Sequence, residues 1–227
     1  EDDIDKADGI LKNYEDPNHP VGLIVDEWGL WDRGRAVPEA GLRQANCLRD
    51  AVIAASCLDI FNARADRVTM TNIAQTINVL QCLIETHGPH AWLTPTYHVF
   101  SLYQAHVGQD SVTTHIDSAE LGQQNPQGLP VRQVSASASV AADGSRVSFT
   151  LTNRNYSAAV ECVLRLQDHA LGGASARVLA GDEAMSANSA ADPDAVAPGT
   201  LAVKADGGSL TVELPPHSVA AVTASAD

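Results

Sequence analysis

The chain has 227 residues, of which 14 are Lys or Arg and 28 are Asp or Glu, for a formal charge of −14. With 44% hydrophobic and 19% charged residues it has a globular balance, which excludes a disordered or collagen-like polymer. The acidic surplus repels phosphate and argues against nucleic acid or an anionic membrane as partner, and no apolar run approaches the roughly 20 residues that span a bilayer.

The acidic opening, Glu1–Asp5, reads as a solvated face and not as a signal peptide. Ile4–Tyr14 is expected to be a short helix ended by Asn13 and Asp16-Pro17. Val21–Val25 is a short apolar run, consistent with a strand buried on both faces. Gly29–Pro38 reads as the loop after it. Gly41–Ala65 is predicted to be one long helix. Leu42, Ala45, Leu48, Val52 and Ala55 fall at steps of three and four, and Ile53, Cys57, Ile60 and Phe61 form a second ridge. Arg67–Asn72 begins another strand-like segment; Ile73–Glu85 and Pro95–His106 follow, the second with helical character. This order is the β/α alternation of a parallel sheet or barrel. Two such units cannot close a (β/α)₈ barrel, which takes about 250 residues. The segment is therefore a small open α/β layer or the tail of a larger barrel.

Beyond residue 110 the composition shifts to Ser, Ala, Gly, Asp and Val. Val134–Val140 and Arg146–Leu151 both alternate in steps of two, and Asp143-Gly144 between them predicts a hairpin. Val160, Cys162 and Leu164 would share one face of the next strand. A loop rich in Asn, Asp and Pro covers Ala187–Pro198. Gly207-Gly208 precedes a strand at Leu210–Leu214, Pro215-Pro216 stops it, and Val219–Val222 supplies a last one. Many short strands with spaced turns predict an antiparallel β-sandwich. The expected division is thus 1–109 for the α/β part and 110–227 for the sandwich.

The chemistry is expected where the first strand ends, at Asp26-Glu27-Trp28, because strand C-termini carry the catalytic groups of parallel barrels. Strict alternation puts Glu27 on the face of Val25 and Leu23 and turns Asp26 away. The two cannot then face each other as a pair. One acts with a partner elsewhere, or both merely cap the loop.

Several runs, taken in order, resemble the C-terminal part of the family-51 glycoside hydrolases, the α-L-arabinofuranosidases. They are Gly22–Trp31, Leu48–Ala51, Ala65–Val68, Asn72–Val79 and Thr94–Phe100, with Val178-Leu179, Asp192–Val196 and Leu214–Val219 in the tail. The resemblance implies the last strand–helix units of a (β/α)₈ TIM barrel followed by a β-sandwich. It implies that Glu27 is the nucleophile of a retaining hydrolase and that Gln75 contacts the bound arabinofuranose. Trp28 and Trp31 are candidate sugar-stacking rings, with packing equally open to them. The family's acid/base sits in an Asn-Glu pair, and this sequence contains no Asn-Glu dipeptide. The early arginine and asparagine that hold the sugar, a tyrosine beside the nucleophile and the opening β segment are missing as well. The chain is accordingly read as a C-terminal fragment, inactive by itself.

The implied substrates are arabinoxylan, arabinan or their oligosaccharides, and a homo-oligomer is expected at full length. No cofactor is implied, and His87, His90, His98 and His106 match no zinc spacing. Cys47, Cys57, Cys82 and Cys162 form no C-x-x-C pair and are read as free thiols, which favours a reducing, cytoplasmic location over secretion. Asn78 is assigned a backbone-bonding role, and Asp66-Arg67 a surface or strand-entry ion pair. Two alternatives stay open: another retaining barrel glycosidase such as a xylosidase or endoglucanase, and a non-catalytic carbohydrate-binding or scaffold protein.

Overall fold

The computed structural model describes residues 1–32, 41–125 and 127–226. Helix α1 (Asp2–Tyr14) opens the chain, with Asp2, Asp3 and Asp5 in its first turn and Lys12 in its last, the arrangement a helix dipole favours. Strand β1 (Leu23–Trp28) follows, then α2 (Leu48–Ala63) and β2 (Val68–Ile73). β1 and β2 pair in parallel, with α2 as the crossover between them. A hairpin of β3 (Ile84–His87) and β4 (His90–Leu93) leads to α3 (Pro95–Tyr103), which continues as a 3-10 turn over Gln104–His106. Thr94 caps α3 through its hydroxyl, and Pro95 stands at its first position.

The helix read over Gly41–Ala65 is shorter than its periodicity suggested. α2 starts at Leu48, because extended Cys47 is its N-cap and the Asp50 carboxylate accepts the Cys47 N–H (3.0 Å). Upstream, Leu42 has a φ of +59°, incompatible with a helix, and the side chains of Gln44 and Asn46 bond to other loops. Leu42 and Ala45 fit the helical period only by coincidence.

From β5 (Asp110–Val112) onward every strand pairing is antiparallel. β6 (Glu120–Gln124) and β7 (Pro130–Arg132) make a small separate hairpin. β8 (Val134–Val140) and β9 (Arg146–Asn153) form the expected hairpin, whose turn has Gly144 at φ +75° and the Asp143 carboxylate accepting the N–H and hydroxyl of Ser145. The remaining strands are β10 (Val160–Leu164), β11 (Leu171–Leu179), β12 (Gly199–Leu201), β13 (Lys204–Asp206), β14 (Ser209–Leu214) and β15 (Ser218–Ala226). One sheet runs β12-β11-β15-β9-β8-β5 and the other β10-β14-β13.

Two apolar clusters hold these layers. Val147, Phe149, Leu151, Leu210, Val212, Leu214 and Val222 fill the space between the two sheets. Leu48, Val52, Leu58, Val99 and Leu102 of the helices pack with Leu179, Val196 and Val219 on the other face of the larger sheet. The sandwich is thus covered on its outer side by the helices that follow β1 and β2. All four cysteines are free thiols.

Candidate active site

β1 and β2 do not pair in a uniform register. Leu23 faces Val68, Ile24 faces Met70, Val25 faces Thr71 and Trp28 faces Ile73. Between Val25 and Trp28 the first strand advances three residues while the second advances two, so Asp26 and Glu27 together oppose Asn72 in a bulge. The bulge overturns the alternation expected from the sequence. Leu23, Val25 and Trp28 are half-buried, whereas Asp26 and Glu27 are both exposed. Glu27 parts from Val25 and Leu23 because the extra residue shifts the period by one.

Gln75 stands two residues past the end of β2 and is also exposed. The ladder continues one step beyond the strands, with the Ala74 N–H donating to the Trp28 carbonyl (2.9 Å). Glu27 and Gln75 thus lie at the same, C-terminal, end of two neighbouring parallel strands. The Gln75 N–H donates to the Val79 carbonyl (3.4 Å), which closes a tight loop after the strand. Asn78, in that loop, has its side chain on Thr86: Oδ1 accepts the Thr86 N–H (2.8 Å) and Nδ2 donates to the Thr86 hydroxyl (2.7 Å).

The two tryptophans near Glu27 take different environments. The ring of Trp28 stacks on Phe100 of α3 at 6.0 Å and meets Phe61 of α2 edge-on at 5.3 Å. It belongs to the packing between strand and helices. Trp31 lies in the loop after β1 and is 48% exposed. That loop was expected to run to Pro38, and its part from 33 on lies outside the described residues.

What holds the Trp31 loop was not visible in the sequence. The Leu30 N–H donates to Oε1 of fully buried Gln81 (2.7 Å), and Gln44 bonds the Leu30 carbonyl through Nε2 (3.0 Å) and the Asp32 N–H through Oε1 (3.0 Å). Arg49 joins the Asp32 carboxylate (3.0 Å) to that of Asp50 (2.6 Å). Arg49 and Asp50 stood inside one of the runs that carry the family resemblance. Gln44 and Gln81 carried no periodic or motif signal. Beside them Asn46 donates to the Leu80 carbonyl (3.2 Å) and to Glu85 (2.9 Å). Burial pushes the Glu85 carboxyl above its ordinary range, against the pull of Asn46 and Arg43.

Chemically, the strand ends present two exposed carboxylates, Asp26 and Glu27, one amide that can donate and accept, and half-exposed Trp31. Among the described residues no group of three or more His, Cys, Asp or Glu is placed to hold a metal ion. No helix among them is long and apolar enough to cross a membrane.

Residues 26–218 match the sequence profile of the alpha-L-arabinofuranosidase C-terminal domain. The chain is 35% identical over 221 residues to an intracellular exo-alpha-L-arabinofuranosidase of Bacteroides ovatus, covering 96% of this chain and 42% of the relative. It is 27% identical over 235 residues to an exo-alpha-(1->6)-L-arabinofuranosidase of Bifidobacterium longum, covering 96% and 44%. Its fold matches the crystal structure of the GH51 arabinofuranosidase from Xanthomonas axonopodis pv. citri with a TM-score of 0.88 and 35% identity, over 97% of this chain and 44% of that one. The chain therefore spans less than half the length of these relatives.

Proposed function

The chain belongs to the alpha-L-arabinofuranosidase C-terminal domain family, and on that premise we propose that it is the C-terminal segment of a retaining exo-α-L-arabinofuranosidase. In this reading β1, α2 and β2 are strand–helix–strand units of a (β/α)₈ barrel completed by polypeptide beyond this segment. The observation that carries it is the placement of Glu27 in an exposed bulge at the C-terminal end of β1, with Gln75 at the matching end of β2.

The mechanism assigns Glu27 as nucleophile. Its carboxylate attacks the anomeric carbon of a terminal arabinofuranosyl group, and the glycosidic C–O bond breaks. A second carboxyl, about 5–5.5 Å away in retaining enzymes and supplied by the rest of the barrel, protonates the leaving oxygen. Water then attacks the covalent arabinosyl ester, the same group takes its proton, and Glu27 is released with net retention. Gln75 is a neutral donor and acceptor that can bond sugar hydroxyls without competing for the nucleophile's charge. Trp31 supplies an aromatic wall. Trp28 enters as the anchor of β1 on the helices, since both its ring contacts lie there. Arabinose-containing glycans are the substrate class, and the intracellular location named for the Bacteroides ovatus relative is carried over with them.

The test is covalent. In the full-length polypeptide carrying this segment, an arabinofuranose-configured electrophilic inactivator is expected to label Glu27, located by peptide mass. Glu27→Gln is expected to abolish hydrolysis of an aryl α-L-arabinofuranoside. This segment alone is expected to show no useful turnover, because its sequence has no Asn-Glu pair to match the family's general acid, whose catalysis is worth about 10²–10⁴-fold. Labelling at another carboxylate, with Glu27→Gln still active, would sink the assignment.

A further inference from the structure

The backbone from Leu30 to Asp32, on either side of Trp31, is held by two buried glutamines. Gln81 is fully buried and uses both ends of its amide. Oε1 accepts the Leu30 N–H (2.7 Å), while Nε2 donates to the Asp50 carbonyl in the first turn of α2 (2.7 Å) and to the Thr96 hydroxyl in the first turn of α3 (3.1 Å). Gln44, 8% exposed, takes the Leu30 carbonyl and the Asp32 N–H, both at 3.0 Å. Leu30 is therefore bonded on its N–H by one glutamine and on its C=O by the other, and Asp32 is fixed through its N–H and its carboxylate.

A buried primary amide is costly unless satisfied, and ordering it removes roughly 1.5–2 kcal/mol of side-chain entropy. A leucine or methionine would fill either position for packing alone. What the amides add is orientation. With the peptides before and after Trp31 fixed, its Cα–Cβ direction is fixed too, while the residue stays 48% exposed. Gln81 reaches the partner loop as well. It lies six residues beyond Gln75, just past the loop that the Gln75–Val79 bond closes. One side chain thus ties the loop bearing Gln75 to the loop bearing Trp31 and to the starts of both helices.

We propose that Gln81 and Gln44 are positioning residues that hold Trp31 in its sugar-binding place beside Glu27 before substrate arrives. This rests on the reading of Glu27 and Trp31 given above. A preset wall lowers the ordering cost of binding, so its loss is read in KM. A merely destabilising change removes active molecules and lowers kcat without moving KM.

The experiment has two readouts. In this chain, Gln44→Met is expected to speed amide exchange at Leu30 and Asp32 by about tenfold or more, equivalent to roughly 1.4 kcal/mol of lost protection. Exchange in α2 and the sandwich should stay at wild-type rates. In the full-length polypeptide the same variant is expected to raise KM for an aryl α-L-arabinofuranoside by about tenfold, with kcat within roughly twofold. Gln81→Glu, an independent variant should Gln44→Met not fold, keeps the acceptor for Leu30 but loses the donor for Asp50. Its KM defect relative to wild type should shrink as pH falls and the carboxyl regains a proton. Unchanged KM in the folded variants, or unchanged exchange at Leu30 and Asp32, overturns the proposal. Glu27→Gln, run in parallel, separates the two ideas. If it is dead while the glutamine variants bind normally, the clamp alone fails; if it turns over like wild type, both fail.

Discussion

Gly29 joins the bulged end of β1 to the clamped loop at a φ of +145°, a backbone region that side chains rarely occupy. A Cβ there would stand 3.4 Å from the Ala74 carbonyl and 3.5 Å from Oε1 of Gln81, so space exists but the conformation is strained. Gly29→Ala is expected to cost on the order of 1–3 kcal/mol. It should appear as a lower urea midpoint with unchanged slope. The two neighbouring tryptophans should separate in the same assay. Trp28→Ala loses two aromatic contacts, each worth about 0.5–1.5 kcal/mol beyond area burial, and is expected to destabilise by roughly 2 kcal/mol or more. Trp31→Ala, at a half-exposed position, should cost less than half as much and act instead on KM in the full-length polypeptide. Equal losses at both positions would contradict the division of roles.

Helix α1 shows how an element is held by charge. Arg67, at the foot of β2, is nearly buried and forks onto both oxygens of Glu15 (2.8 Å each), with its Nε on Asp8 (2.6 Å). The sequence suggested a pair with Asp66, which instead lies 3.7 Å from Arg64. The partner of Arg67 is 52 residues away, and no local pattern reports it. The hydrogen bond from Arg67 is the main cause that holds the Glu15 carboxyl down at about 2, and Asp8 is lowered chiefly by Lys12. Because the folded values lie below the ordinary 4.5 and 3.8, the stabilisation is complete above those values and is lost as pH falls toward 2. Acidification over that range is expected to free α1, seen as rising amide exchange over Asp2–Tyr14 while the sandwich stays protected. Arg67→Met should show the same release at neutral pH. The contrast explains what could be read in advance. The β8–β9 hairpin, α1 and the strand starts follow from turns, caps and periods a few residues long. The Asp26–Glu27 bulge and the glutamine clamp depend on partners across the fold, and the positive φ of Leu42 breaks a helical period that runs through it in the sequence, so the residues proposed for the site could be named in advance while their geometry could not.

At the scale of the whole molecule the helices are joined to the sandwich by a polar hub as well as an apolar cluster. The Asp59 carboxylate of α2 is buried and meets the hydroxyls of Tyr103 (2.6 Å), Ser135 (2.7 Å), Ser137 (3.2 Å) and Thr150 (3.1 Å). Burial raises its pKa despite these bonds. A raised acid stabilises the fold fully below its unfolded value, and that contribution fades as pH rises through the folded value. Asp59→Asn is therefore expected to flatten the pH dependence of thermal stability, and Asp59→Leu, which strands several buried hydroxyls, to cost on the order of 3 kcal/mol. The opposite side of the molecule is unlike this junction. Parallel strands are normally covered on both faces, and an open edge invites pairing. In β1 and β2, Ile24 is 57% and Met70 53% exposed, and Ile77 just beyond is 49% exposed. If the rest of a barrel covers this surface in the full-length polypeptide, the segment alone carries an uncovered interface. The expectation is concentration-dependent self-association through β1 and β2 that persists in high salt, because apolar contacts are not screened as charges are. Ile24→Lys and Met70→Lys together should return the segment to a monomer in sedimentation velocity without shifting the urea transition of the sandwich. The same pair in the full-length polypeptide should do the reverse, lowering stability by placing charges inside a packed barrel. A segment that stays monomeric at high concentration, with a full-length form indifferent to both lysines, would refute the barrel reading of β1 and β2.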